Sequence, residues 1–69
     1  MGIISIDQIK SATDSDNKLI RMWEIKFSGK KPIYFVEQSV EGKNLFIPLL
    51  TTTVENKANK LFYYLTKGD

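Results

Sequence analysis

The stretch Leu19-Ile20-Arg21-Met22-Trp23-Glu24-Ile25-Lys26-Phe27 decides the fold. It holds the only Trp and the only Arg of a 69-residue chain. Successive side chains of a strand point to opposite faces. One face therefore carries Leu19, Arg21, Trp23, Ile25 and Phe27, and the other carries Ile20, Met22, Glu24 and Lys26. Both faces hold large apolar groups, so the pattern predicts a central strand that needs cover on two sides.

The segments around it follow from local chemistry. Residues 2–6 are apolar and β-branched and predict a first strand that can run on to Ile9. A competing short-helix signal sits in the same place, with Ser5 and Gln8 at capping-box spacing and Ile6 and Ile9 one turn apart. Thr13–Lys18 is turn chemistry, because Asp, Asn and Ser side chains bond their own backbone. Ser28-Gly29-Lys30-Lys31 supplies a tight reversal, and Ile33–Gln38 alternates again as a third strand. Glu41-Gly42-Lys43-Asn44 reads as a second hairpin turn, and Leu45–Leu50 as a fourth strand. Pro48 cannot donate to a ladder, so that strand belongs at an edge or carries a bulge.

The C-terminal third changes period. Thr52 followed by Glu55 has capping-box spacing. Val54, Ala58, Leu61, Phe62 and Leu65 then form one apolar stripe of an amphipathic helix that stops near Lys67-Gly68. The predicted architecture is one small α+β domain: a four-stranded antiparallel meander sheet with one C-terminal helix, ββββα.

Composition narrows the function. With no Cys and no His, disulfides, ordinary zinc sites and imidazole chemistry are all removed. No motif frames an activated Ser or Thr, so no enzyme and no cofactor is expected. Glu24 and Glu37 lie on neighbouring strands, where a carboxylate pair or cross-strand pairing with Lys26 or Arg21 are the alternatives. Asp14-Ser15-Asp16 has the opening of a calcium loop but lacks its Gly and closing Glu, and reads as a plain turn. No stretch is apolar enough to span a membrane, and the start lacks a cationic leader, so a cytoplasmic protein is expected.

Ten Lys or Arg against eight Asp or Glu leave a mild net charge of +2. On the helix, Lys57, Lys60, Tyr64 and Lys67 share one shoulder of the apolar stripe, and Tyr63 points outward. Cations for phosphate and rings for stacking are what single-stranded nucleic acid requires. The same residues also suit a solvated helix, since Lys near its C-terminus complements the dipole. The sheet adds its own demand. One helix covers one face, so the other leaves aromatic surface for a second protomer, a nucleic acid or a protein.

The order and spacing of Ile20–Leu65 resemble the Whirly and positive-cofactor-four type of single-stranded-DNA-binding domain. The stretches that carry the likeness are Trp23–Lys31, Ile33–Glu37 and the strand-to-helix passage Leu50–Glu55. The resemblance implies dimerisation through strand and helix, and a grip on single strands by basic and aromatic residues of the sheet. The first functional expectation is therefore a non-enzymatic, homodimeric module that holds single-stranded nucleic acid. Arg21, Lys26, Lys30, Lys31, Lys57, Lys60 and Lys67 would neutralise phosphate, and Trp23, Tyr34, Tyr63 and Tyr64 would stack on bases. The second is a small protein-binding regulator or inhibitor, of the phage- or plasmid-encoded kind, that uses the exposed aromatic face or a sheet edge.

Overall fold

The computed structural model describes residues 2–40 and 44–67. Four strands, β1 (Ile3–Thr13), β2 (Leu19–Phe27), β3 (Ile33–Ser39) and β4 (Phe46–Thr52), precede one helix, α1 (Glu55–Lys67). Each strand pairs antiparallel with the next in the order β1-β2-β3-β4, which leaves β1 and β4 as the edges of one open sheet. This is the ββββα meander that the alternation and the terminal stripe predict.

The helix packs over β2, β3 and β4 and closes one face. Ile20 and Met22 of β2, Tyr34 and Val36 of β3, and Ala58 and Phe62 of α1 form the buried core, with Ala12, Leu50, Leu61 and Leu65 packed around it. The face of β2 that bears Ile20 and Met22 is thus the sheltered one. Val54, the first residue of the predicted stripe, is exposed at the helix entrance.

Local details follow the chemistry of particular residues. β1 is longer than expected, reaching Thr13, and the short-helix alternative at Ser5–Gln8 is not formed. Its second half is mostly polar because an edge strand buries little; among its apolar side chains Ala12, opposite Ile20, packs against the core. Asp14 shapes the β1–β2 turn: its Oδ1 accepts from the backbone N–H groups of Asp16 and Lys18 at 2.9 Å. Its Oδ2 accepts from Gln38 Nε2 at 3.1 Å, tying the turn to β3. Asn17 takes the positive φ of 68° that closes this turn, and Gly29 the φ of 75° that closes the next. The predicted turn at Glu41–Asn44 lies mostly outside the described residues.

Pro48 is accommodated in both of the expected ways. β4 is an edge strand, and its register with β3 slips by one residue between Val36↔Leu50 and Glu37↔Pro48. The capping box at Thr52–Glu55 is a correction. Helix α1 begins at Glu55, with the Val54 carbonyl accepting from Lys57 N at 3.1 Å. Thr52 still belongs to β4, and its Oγ1 accepts from Val54 N at 3.0 Å. Its hydroxyl closes a short turn into the helix instead of capping the third helical residue.

The hydrogen bond from the backbone of Lys18 first, joined by those from Asp16 and Gln38, outweighs the opposing cost of desolvation and holds the Asp14 carboxyl below the ordinary aspartate value. A depressed value stabilises the fold above the ordinary titration range, and the contribution disappears as pH falls through it. Asp14→Asn should therefore lower the urea midpoint at neutral pH. The gap to the parent should begin to narrow as the pH falls below about 4 and close only below the depressed value of the folded state. A gap that persists unchanged through the acid range would show that the carboxylate charge has no part in the turn.

Candidate functional site

The uncovered face of the sheet is built by strict alternation along β2 and β3. Arg21, Trp23 and Ile25 stand directly across from Glu37, Phe35 and Ile33. Leu19 and Phe27 extend the β2 row at its two ends. All of these side chains are partly exposed, in contrast to the buried Ile20, Met22, Tyr34 and Val36 behind them. The Trp23 and Phe35 rings lie nearly parallel, 13° apart in tilt with centroids 6.2 Å apart. Such an offset pair adds a modest stabilisation to the cross-strand contact.

At the centre of this face, Glu37 Oε2 gathers two donors. Arg21 Nε donates to it at 2.6 Å and Trp23 Nε1 at 2.7 Å, and the guanidinium and carboxylate form an ion pair. The Arg21 guanidinium carbon also sits 3.5 Å from the Phe46 ring centroid and 5.2 Å from that of Trp23. The cation is thus stacked between two rings and neutralised by a carboxylate. The Arg21 side chain is 26% exposed and that of Glu37 13%. A phosphate arriving here would meet a used cation and a nearby anion.

The residues expected to hold nucleic acid do not form one surface. Arg21 and Trp23 lie on the open face, and Lys30 and Lys31 are exposed in the turn at its end. Lys26 belongs to the opposite row of β2 and stands 4.0 Å from Glu24 Oε1. Lys57, Lys60, Tyr63, Tyr64 and Lys67 form the exposed outer arc of α1, on the far side of the molecule. Tyr34 leaves the stacking set altogether. It lies in the core, and its hydroxyl donates to Glu24 Oε2 at 2.9 Å. Burial first, and the Glu24 hydrogen bond and charge second, raise its phenol above the ordinary value.

Glu24 and Glu37, weighed as a carboxylate pair, project from opposite faces and take separate partners, Tyr34 and Arg21. Among the described residues no group of three Asp or Glu is placed to hold a metal ion.

Two features escaped the sequence. The first is a pocket of about 530 Å³ at the β2–β3 end, lined by Phe27, Ile33, Thr53, Lys30 and Lys31. The two lysines were visible as a cationic turn; the apolar lining beside them depends on the pairing of strands. The second is Lys10, whose Nζ donates to Asn59 Oδ1 at 2.6 Å and lies 5.7 Å from the Phe62 centroid. It ties edge strand β1 to the helix, and no local signal marks it.

No family model, no curated protein and no solved structure matches this chain. The site therefore stands on its own geometry.

Glu37→Ala leaves Arg21 and the Trp23 N–H without their shared acceptor. We expect a loss of about 1–3 kcal/mol, toward the lower end because the group is partly solvated, and a red-shifted emission from Trp23. A variant with unchanged urea midpoint and unchanged emission would show that the network does not order this face.

Proposed function

We propose that this chain is a non-enzymatic binding module that docks a protein through the open face of its sheet. One observation carries the reading: the only cation at the centre of that face, Arg21, is already satisfied by Glu37 and stacked against Phe46 and Trp23. What remains around it is apolar and aromatic, from Leu19, Ile25, Phe27, Ile33 and Phe35. Protein interfaces combine such a centre with aromatic and Arg groups, and contiguous patches of this kind mark contact surfaces.

The sheet edges support the face by default. β1 slips register twice, at Ile4 and at Ile9, and β4 carries Pro48 and a slip of its own. Bulges and edge prolines discourage the addition of a further strand. Docking by strand pairing is thus blunted on both sides, while the face keeps its aromatic and aliphatic groups partly exposed around the Arg21–Glu37 pair.

A second reading has its own observation. Tyr63 and Tyr64 are 63% and 65% exposed on an arc of α1 that also presents Lys57, Lys60 and Lys67. That arc suits single-stranded nucleic acid, in line with the resemblance to Whirly and positive-cofactor-four type domains, although those grip the strand on the sheet.

Salt and substitution separate the two. Protein docking predicts that the chain itself associates weakly through the apolar face at about millimolar concentration, by sedimentation, with little salt dependence. Phe35→Ser should abolish the association while far-ultraviolet circular dichroism stays unchanged. Labelled oligothymidylate should bind no tighter in about 50 mM salt than in about 200 mM. Oligonucleotide affinity that collapses over that range, and is lost in Lys57→Glu/Lys60→Glu but kept in Phe35→Ser, would replace the first reading with the second.

A further inference from the structure

The pocket at the β2–β3 end gives the docking face a polarity. It is lined by Phe27, Ile33 and Thr53 together with the consecutive Lys30 and Lys31. Phe27 and Ile33 are partly exposed and belong to the same row as Trp23 and Phe35, so the pocket continues the apolar face and is not a separate crevice. Both lysines are exposed. The ion pairs among the described residues are Arg21–Glu37 and Lys26–Glu24, so neither pocket lysine has a carboxylate partner there.

The centre and the end of the face thus differ in kind. At the centre the cation is matched internally and offers an arriving group apolar surface. At the end two exposed cations, without a carboxylate partner among the described residues, line the pocket beside Phe27 and Ile33. A volume of about 530 Å³ falls within the range of sites that take a small molecule or a large side chain. A complementary occupant brings one ring for Phe27 and Ile33 and carboxylates beside it for the two lysines.

We propose that this pocket receives an acidic segment of a partner protein, seating one aromatic side chain on Phe27 and Ile33 with flanking carboxylates on Lys30 and Lys31. The inference rests on the protein-docking reading and names the chemistry of that partner. The lysines steer and select, since charge across an interface acts mainly on encounter and specificity. The aromatic anchor supplies the contact area. Each Lys presents a compact point charge on a flexible stem, which can follow the carboxylates of a mobile segment.

The test is a titration of the full ¹⁵N-labelled chain with a blocked peptide, acetyl-Asp-Asp-Phe-Asp-Asp-amide. Two control peptides replace the Phe by Ala, or each Asp by Asn. Saturable shifts are expected at Phe27, Lys30, Lys31, Ile33 and Thr53, with a dissociation constant of about 1 mM or tighter. Both controls should lose about tenfold or more, and so should Lys30→Glu/Lys31→Glu with the parent peptide. That variant alters only exposed turn positions, so the dispersion of its spectrum reports directly that it folds.

Absence of shifts at these residues overturns the inference. So does an equal response to the Asn peptide, which would make the site merely apolar. Stronger shifts at the same residues with oligothymidylate would assign the pocket to nucleic acid instead. Failure here, with self-association through Phe35 intact, removes the acidic partner and leaves the docking face. Loss of both removes the docking reading as well.

Discussion

A helix of thirteen residues is about 20 Å long and shelters one side of a narrow sheet. Everything distinctive in this molecule descends from that limit. α1 lies against Ile20, Met22, Tyr34 and Val36, and nothing in the described chain lies against Trp23, Phe35, Ile25 and Phe27 in the same way. The Cα atoms span only 15 Å in the thin direction, the depth of one sheet and one helix. A chain of this size has little apolar material to spare, so aromatic groups left partly in water carry a cost.

The uncovered face is nevertheless ordered from within. Glu37 draws Arg21 and the Trp23 indole together, and Phe46 closes over the guanidinium from the edge strand. These contacts cross three strands, so they fix side-chain directions on a surface that would otherwise sample many rotamers. A preorganised surface loses less entropy on binding. The same network leaves no free cation at the centre of the face, which is the ground of the proposed preference for an apolar partner over a phosphate chain. The cationic ends of the molecule, in the Lys30-Lys31 turn and on the helix arc, lie elsewhere.

Much of this was legible in the residues. The two rows of β2 predicted that both faces of the sheet would want cover, and Pro48 predicted an edge with a slip in register. The stripe from Val54 to Leu65 predicted the helix, although Val54 itself stays exposed at its entrance. What local pattern could not supply was pairing between distant segments. Which row of β2 the helix chooses depends on Tyr34 and Val36 joining Ile20 and Met22, a fact of register. Tyr34 looked like a stacking ring because nothing in its neighbourhood distinguishes a buried phenol from an exposed one; Glu24, ten positions away, does. Lys10 and the length of β1 were hidden for the same reason, since an edge strand has no apolar periodicity to declare it. The cap at Thr52 misled by two positions because Val54 opens the helix and Thr52 remains in the sheet.

Hydroxyl-radical footprinting of the dilute chain, read residue by residue by mass spectrometry, tests the asymmetry of the two faces most directly. Methionine is among the most reactive side chains toward such oxidants, so its protection is informative. Modification of Trp23, Phe35 and Phe46 together with protection of Met22 and Tyr34 is the expected result. Oxidised Met22 beside a protected Trp23 would mean that the helix covers the other face, and the interpretation built on an open Trp23 surface would fail.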